Sequence, residues 1–245
     1  MDEKEQENYL RNLVVIANYG KEALACLLKQ EFSSKHMSLE HFVNSNQHTI
    51  YHLCFNKKKC CQCVHEWRAF VPTNRVLSES QLGIILDRNS SRLPCHNTQN
   101  VSDFCCCRAH CNLTTERFDV TLLRCFLTNF GTLWKVAPVE QAVNTILYYR
   151  NYYGHASETR ISEGLFQQQK AEIEKAILDI YSFCKPSDVL SMKQRLTDSY
   201  CRSLDTVSCS KYLSGQLEEI RQQSSVEKEI QDIKDHIEHF GELHI

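Results

Sequence analysis

Two short stretches crowd cysteines together: Cys60-Cys61-Gln62-Cys63 and Cys105-Cys106-Cys107-Arg108-Ala109-His110-Cys111. Thiolates and imidazoles in close pairs are the donor set of tetrahedral zinc, which two such pairs usually hold. Cys60 and Cys63 make a C-x2-C pair, and Cys107 with Cys111 makes a C-x3-C pair. These four are the expected ligands of a structural zinc ion. His110 gives Cys107 a C-x2-H alternative, and His65, Cys95 and His96 are spare donors. Adjacent cysteines point in different directions, so only one or two of each run can bind the same ion. The gap between the pairs exceeds that of common fingers, which implies a stapled loop. Four protein ligands leave no open position, so such a site would stabilise rather than catalyse. The same residues also fit reduced thiols, or disulfides if the chain is exported.

A second constellation lies in Tyr148-Tyr149-Arg150-Asn151-Tyr152-Tyr153-Gly154-His155-Ala156. Arg150 follows Val143 by seven positions and Leu147 by three, which puts it on the apolar face of its helix. A charge there must be paired or serve a site. Gly154 is a candidate helix terminator, with His155 just past the end. A fixed cation and a titratable imidazole then converge. The bland alternative is that both simply complement the negative end of the helix dipole.

Arg150-x4-His155, with polar Asn151 after the arginine, resembles the R-x4-6-H motif of HEPN domains. These are compact helical domains, many of them metal-independent endoribonucleases. The stretch from Leu147 to Ser157 is most similar to the DZIP3-like HEPN branch, which is common among invertebrate proteins, some with a Cys-rich insertion. The resemblance covers roughly residues 5 to 185. It implies a homodimer in which two motifs meet across a helix interface and form one RNA-cleaving cleft. The ribose 2′-hydroxyl would attack the adjacent phosphate. His155 would move the proton, as an imidazole can near neutrality. Arg150 would stabilise charge on the phosphoryl oxygens, and Asn151 would orient the imidazole or hold a phosphate. Tyr149, Tyr152 and Tyr153 are candidates for stacking on bases, and the basic run Lys57-Lys58-Lys59 for phosphate contacts. Most aromatics at helical spacing are core, and most basic runs are solvated loops.

Helices must position these residues. Leu10, Leu13, Val14 and Ala17 are spaced i, i+3, i+4, i+7, and Leu24, Leu27 and Leu28 extend the stripe. A weaker helix is predicted from about Leu39 to Cys54, with Ser38 as its cap. The segment 54–115 reads as a mostly irregular Cys-rich insertion, with one short helix near Ser78 to Asp87. Helical spacing returns at Phe118 to Phe130, after Pro138, and at Phe166 to Tyr181, the last capped by Ser162. Residues 186–245 read as a helical tail. There Val226, Ile230, Ile233, Ile237 and Phe240 make a short heptad seam that could pair with another protein.

Composition agrees with an all-α reading: a HEPN-like helical bundle carrying the insertion and the tail. The 245 residues include only 7 Gly and 4 Pro, too few for a protein of many tight turns. Hydrophobic residues at 42% and charged residues at 24% suit a folded chain rather than a disordered one. No apolar run is long enough to span a membrane, and the start MDEKEQENYL lacks the apolar core of a secretory signal. A cytoplasmic location is therefore expected, against which stand three glycosylation sequons, at Asn89, Asn100 and Asn112. A net charge of −2 gives no bulk attraction to nucleic acid, so RNA binding would need a local patch. The leading expectation is an RNA-binding domain with endoribonuclease activity in nucleic-acid defence. Its rival is a non-catalytic, dimerising interaction module.

Overall fold

A computed structural model describes residues 2–56, 58–63, 77–96, 102–156 and 158–202. The described part is all-α apart from one two-stranded ladder. Lys57, His65, Asn100 and the seam from Val226 to Phe240 lie outside the described residues.

The first apolar stripe forms one long helical run: α1 (Asp2–Val15), a π-helical turn (Ile16–Gly20) and α2 (Lys21–Ser34). The wider π turn rotates the stripe, so that Leu13 before it, Ile16 at its start and Leu24, Leu27 and Leu28 after it are all buried. The predicted helix from Leu39 to Cys54 is two helices, α3 (Leu39–Ser45) and α4 (Gln47–Cys54), broken at Asn46. Asn46 turns its side-chain amide back to the Phe42 carbonyl at 2.9 Å, a local bond that competes with helix continuation. Ser38 caps α3 as expected, accepting from the His41 N–H at 3.1 Å.

The insertion is more ordered than the sequence suggests. The helix α5 (Glu79–Ile85) opens with a capping box between Ser78 and Gln81. The ladder pairs β1 (Leu86–Asp87) antiparallel with β2 (Arg108–Ala109), Leu86 opposite Ala109. Leu77, Leu82, Ile85, Phe104 and Cys105 belong to the same core as the bundle, so the segment packs on the bundle rather than standing apart.

The bundle is completed by α6 (Val120–Phe130), α7 (Ala137–His155), α8 (Glu163–Cys184) and α9 (Val189–Cys201). Asp119 caps α6, accepting from the Leu122 N–H at 2.6 Å. Ser162 caps α8, as its position predicts. The turn before α7 is fixed by buried Glu31, whose carboxylate accepts from the Thr132 and Leu133 N–H groups at 2.8 and 2.9 Å. Tyr149 meets Glu172, and Tyr153 meets Gln169, so α7 and α8 run antiparallel. α9 packs on α8 and α1 and buries Met192, Leu196 and Tyr200. Arg195 of α9 forks onto both carboxylate oxygens of Glu22 at 2.9 and 2.7 Å. The described part of 186–245 thus packs on the bundle through α9.

Buried polar groups knit four helices together. Asn12 donates to the Tyr153 hydroxyl at 2.8 Å and accepts from the Tyr200 hydroxyl at 3.0 Å. Tyr9 donates to the Tyr153 carbonyl at 2.6 Å, and the Tyr153 hydroxyl donates to Gln169. Removing that hydroxyl leaves Asn12 and Gln169 each short of a buried partner, which costs about 1–3 kcal/mol. Tyr153→Phe is therefore expected to lower the urea midpoint with an unchanged slope. An unchanged midpoint would show that the network contributes nothing.

Candidate functional site

α4 and the Cys60 turn build the first cluster. His48 and His52 are one helical turn apart on α4, so their rings share a face, 4.7 Å between centroids. The Cys63 N–H bonds the Cys60 carbonyl at 3.1 Å, closing a turn that brings the two thiols to 3.6 Å. His48 Nε2 lies 3.4 Å and His52 Nε2 3.3 Å from the Cys63 sulfur. The ligand atoms of His48, His52, Cys60 and Cys63 all lie within 4.8 Å of one another, so the group could hold a metal ion. A bonding detail prepares His52 for that role. Its Nδ1 faces the Phe55 carbonyl at 3.2 Å, and a carbonyl only accepts, so Nδ1 carries the proton. The neutral ring then turns a bare Nε2 lone pair toward Cys63. Burial lowers the His52 pKa and favours that neutral form.

A second group, Cys61, His96, Cys105 and Cys106, has the same compactness. The Cys61 sulfur lies 3.6 Å from His96 Nδ1, and the Cys105 and Cys106 sulfurs lie 3.6 Å apart. Adjacent side chains converge here because Cys106 takes a left-handed backbone conformation, φ 60°. That conformation is unfavourable for a residue with a Cβ and is found mostly where the surroundings impose it. The Cys105 thiol pKa is pushed down, because the Cys60 thiol and then the Cys61 backbone N–H donate to its sulfur.

The sequence therefore located the first pair but not the second. Cys60 and Cys63 do come together, with the α4 histidines as partners in place of Cys107 and Cys111. Cys107 is buried elsewhere, its thiol donating to the Asp103 carbonyl at 3.1 Å and its sulfur accepting from Arg92. Cys111 is exposed and belongs to neither group. His110 binds the Gly83 carbonyl at 3.0 Å. The signal that sequence reasoning passed over is the i, i+4 spacing of His48 and His52, hidden because the helix was read only for its apolar positions. All 13 described cysteines are free, Cys26 and Cys125 in the bundle core among them.

The Arg–His motif is arranged differently from a simple convergence. Arg150 is 8% exposed, on the buried face of α7 as predicted. It donates to Thr121 Oγ1 of α6 at 2.6 Å and to Asn151 Oδ1 at 3.0 Å. A guanidinium only donates, so the Asn151 carbonyl oxygen must face Arg150, and its N–H groups are left to donate elsewhere. Gly154 does not terminate the helix: it is buried, its φ is not positive, and α7 runs through His155. The chain leaves the helix at Ala156, which is extended at ψ 124°. Five residues correspond to a rotation of about 140° around the axis, so Arg150 and His155 leave different faces. Asn151 connects the two faces. Asn144, Tyr148, Asn151 and His155, spaced 4, 3 and 4, form one outward stripe of α7.

The aromatic candidates divide. Tyr153 is fully buried and Tyr149 is 4% exposed, its hydroxyl donating to Glu172 at 2.5 Å. Both serve the helix packing. Tyr152 is half-buried, whereas Tyr148, which was not among the candidates, is 62% exposed and stacks on Tyr152 at 6.3 Å. Tyr148, Asn144 and Glu172 line an open groove of about 510 Å³ beside the stripe. Lys58 and Lys59 are exposed, with the Lys58 ammonium 5.1 Å from the Phe55 ring centre.

No protein-family model matches the chain, and no curated protein or solved structure is significantly similar to it. Fold and site together define an all-α bundle whose Cys-rich segment carries two Cys/His groups able to hold metal. Among the described residues no helix is long and apolar enough to cross a membrane.

Proposed function

We propose that the chain is a cytoplasmic, HEPN-like RNA-binding protein whose Arg150, Asn151 and His155 support metal-independent endoribonuclease chemistry. The observation that carries this reading is the placement of the motif on α7. Asn151 and exposed His155 share the outward stripe one turn apart, and Arg150 fixes the direction of the Asn151 amide from below. His155 takes the proton from the ribose 2′-hydroxyl, or returns one to the leaving 5′-oxygen. The Asn151 N–H groups hold a phosphoryl oxygen, and Arg150 adds a fixed positive charge beneath them. Tyr148 and Tyr152 offer faces for a base. The Cys-rich segment, in this reading, is held by structural zinc and takes no part in the chemistry, since four protein ligands leave no open position.

A homodimer is the expected assembly, because the outward stripe of one α7 would be completed by a second. Light scattering at micromolar concentration should give the mass of two chains; one chain's mass would remove the composite cleft. Activity is tested by incubating the purified chain with single-stranded RNA in buffer freed of divalent ions over a chelating resin, beside His155→Ala.

One set of observations favours a non-catalytic interaction module instead. Arg150 already ties α7 to α6, and the groove beside the stripe carries acidic Glu140 and Glu172, which repel a phosphate backbone. Equal RNA degradation by the wild type and His155→Ala would decide for that module.

A further inference from the structure

The two Cys/His groups share a boundary, and their ligands interleave where Cys61 falls between Cys60 and Cys63. We propose that the segment holds two zinc ions, one on His48, His52, Cys60 and Cys63 and one on Cys61, His96, Cys105 and Cys106. This rests on the reading of the segment as a zinc-held module and adds the number of ions and the ligands of each.

Tetrahedral zinc has bonds of about 2.3 Å to sulfur and 2.0–2.1 Å to nitrogen. The edges of such a tetrahedron are then about 3.8 Å between two sulfurs and about 3.5 Å between sulfur and nitrogen. In the first group the Cys60–Cys63 edge is 3.6 Å, and the edges from Cys63 to His48 and His52 are 3.4 and 3.3 Å. In the second, the Cys105–Cys106 and Cys61–His96 edges are both 3.6 Å. These edges lie within about 0.2 Å of the ideal ones, and the remaining ligand atoms of each set lie within 4.8 Å of one another.

One ion cannot serve all eight donors, because tetrahedral zinc takes four. Cys60 belongs to the first group and Cys61 to the second, so the cysteine run straddles both. The bonding around each group matches what zinc ligands need. His52 is fixed by the Phe55 carbonyl, and the Cys105 sulfur receives the Cys61 N–H at 3.3 Å. Charge is also accommodated. Two thiolates and two neutral imidazoles make the first zinc site neutral, whereas three thiolates leave the second with one negative charge. Arg92 stands beside that second site, donating to the Cys105 carbonyl at 3.0 Å. The left-handed backbone at Cys106 is then the cost of aiming two adjacent sulfurs at one ion, offset by the bonds they form.

Native mass spectrometry of the full chain, purified under reducing conditions with zinc present, reads the answer. Two zinc ions per chain are expected. Cys63→Ser and Cys106→Ser should each retain one, the double variant none, and Cys111→Ser two. X-ray absorption at the zinc edge of the unmodified protein gives a check that does not depend on variants folding. The proposed ligands comprise five sulfurs and three nitrogens over two ions, a mean of 2.5 sulfurs per zinc. One zinc per chain, or a mean of four sulfurs, would overturn the two-ion assignment and leave the zinc-held module standing. No zinc at all would overturn both.

Discussion

Removal of the proposed metal is expected to open the segment from 77 to 111 before the rest of the bundle. Hydrogen exchange of Leu82, Ile85, Cys105 and Ala109, followed in the reduced protein with and without a strong chelator, should show protection lost in the stripped form. The size of the effect follows from the donors. Structural zinc contributes about 10–16 kcal/mol of apparent binding free energy in small zinc-dependent folds, more than the whole stability of a typical domain. Here most of the shared core comes from α1, α2, α6, α7 and α8, so loss of metal need not unfold everything. The insertion has less to fall back on. Apart from metal it is held by α5, a ladder of two residues per strand, the packing of Leu77, Leu82, Ile85 and Phe104 in the shared core, and bonds such as that from the Gln47 amide to the Cys107 carbonyl at 2.7 Å. α4 should stay in place, because Ile50, Tyr51 and Leu53 anchor it in the core. Protection that is identical in the zinc-loaded and stripped forms would mean that thiol packing alone holds the segment.

His155→Ala should lower RNA cleavage by roughly 10²–10⁴-fold, the usual range for a general acid–base residue. The fold should tolerate the change, because the side chain is exposed at the last position of α7 and its loss opens no cavity. Arg150→Lys is predicted to fail by a different route. Lysine keeps the charge but lacks the planar fork that reaches Thr121 and Asn151 together. The Asn151 amide then loses its fixed direction, and the α6–α7 tie loses a buried bond worth about 1–3 kcal/mol. The two variants are therefore distinguishable. His155→Ala loses rate at unchanged thermal stability, whereas Arg150→Lys loses both. Equal stability losses in the two variants would place His155 in the packing rather than in the chemistry.

Local rules carried most of the helices. Apolar spacing found α6, α7, α8 and α9, and cap chemistry found Ser38 and Ser162, because those signals lie within a few residues of the feature they specify. What depended on distant partners was not legible. The π turn after α1 answers to packing against later helices, and no residue in Ile16–Gly20 announces it. The metal groups show the same limit. Cys60 and Cys63 are paired by a local turn and were found. Their partners on α4 precede them by 8 to 15 residues and are brought into place by the tertiary fold. Cys107 and Cys111 had a suitable spacing, but the left-handed turn at Cys106 sends Cys105 and Cys106 to the site instead. Arg150 was placed correctly on the buried face, since periodicity fixes a face. Periodicity could not tell that Thr121 would meet it.

The chemistry of the RNA ends tests the functional reading most directly. A radiolabelled single-stranded RNA is incubated with the zinc-loaded chain in divalent-free buffer, and the new 3′ ends are analysed. The proposed reaction forms a bond from the substrate's own 2′-oxygen to phosphorus and breaks the bond from phosphorus to the 5′-oxygen. Every new 3′ end should therefore carry a 2′,3′-cyclic phosphate, and every new 5′ end a free hydroxyl. His155→Ala should leave the RNA intact over the same interval. Cleavage that requires added magnesium, yields 5′-phosphates, or persists unchanged in His155→Ala would contradict the account.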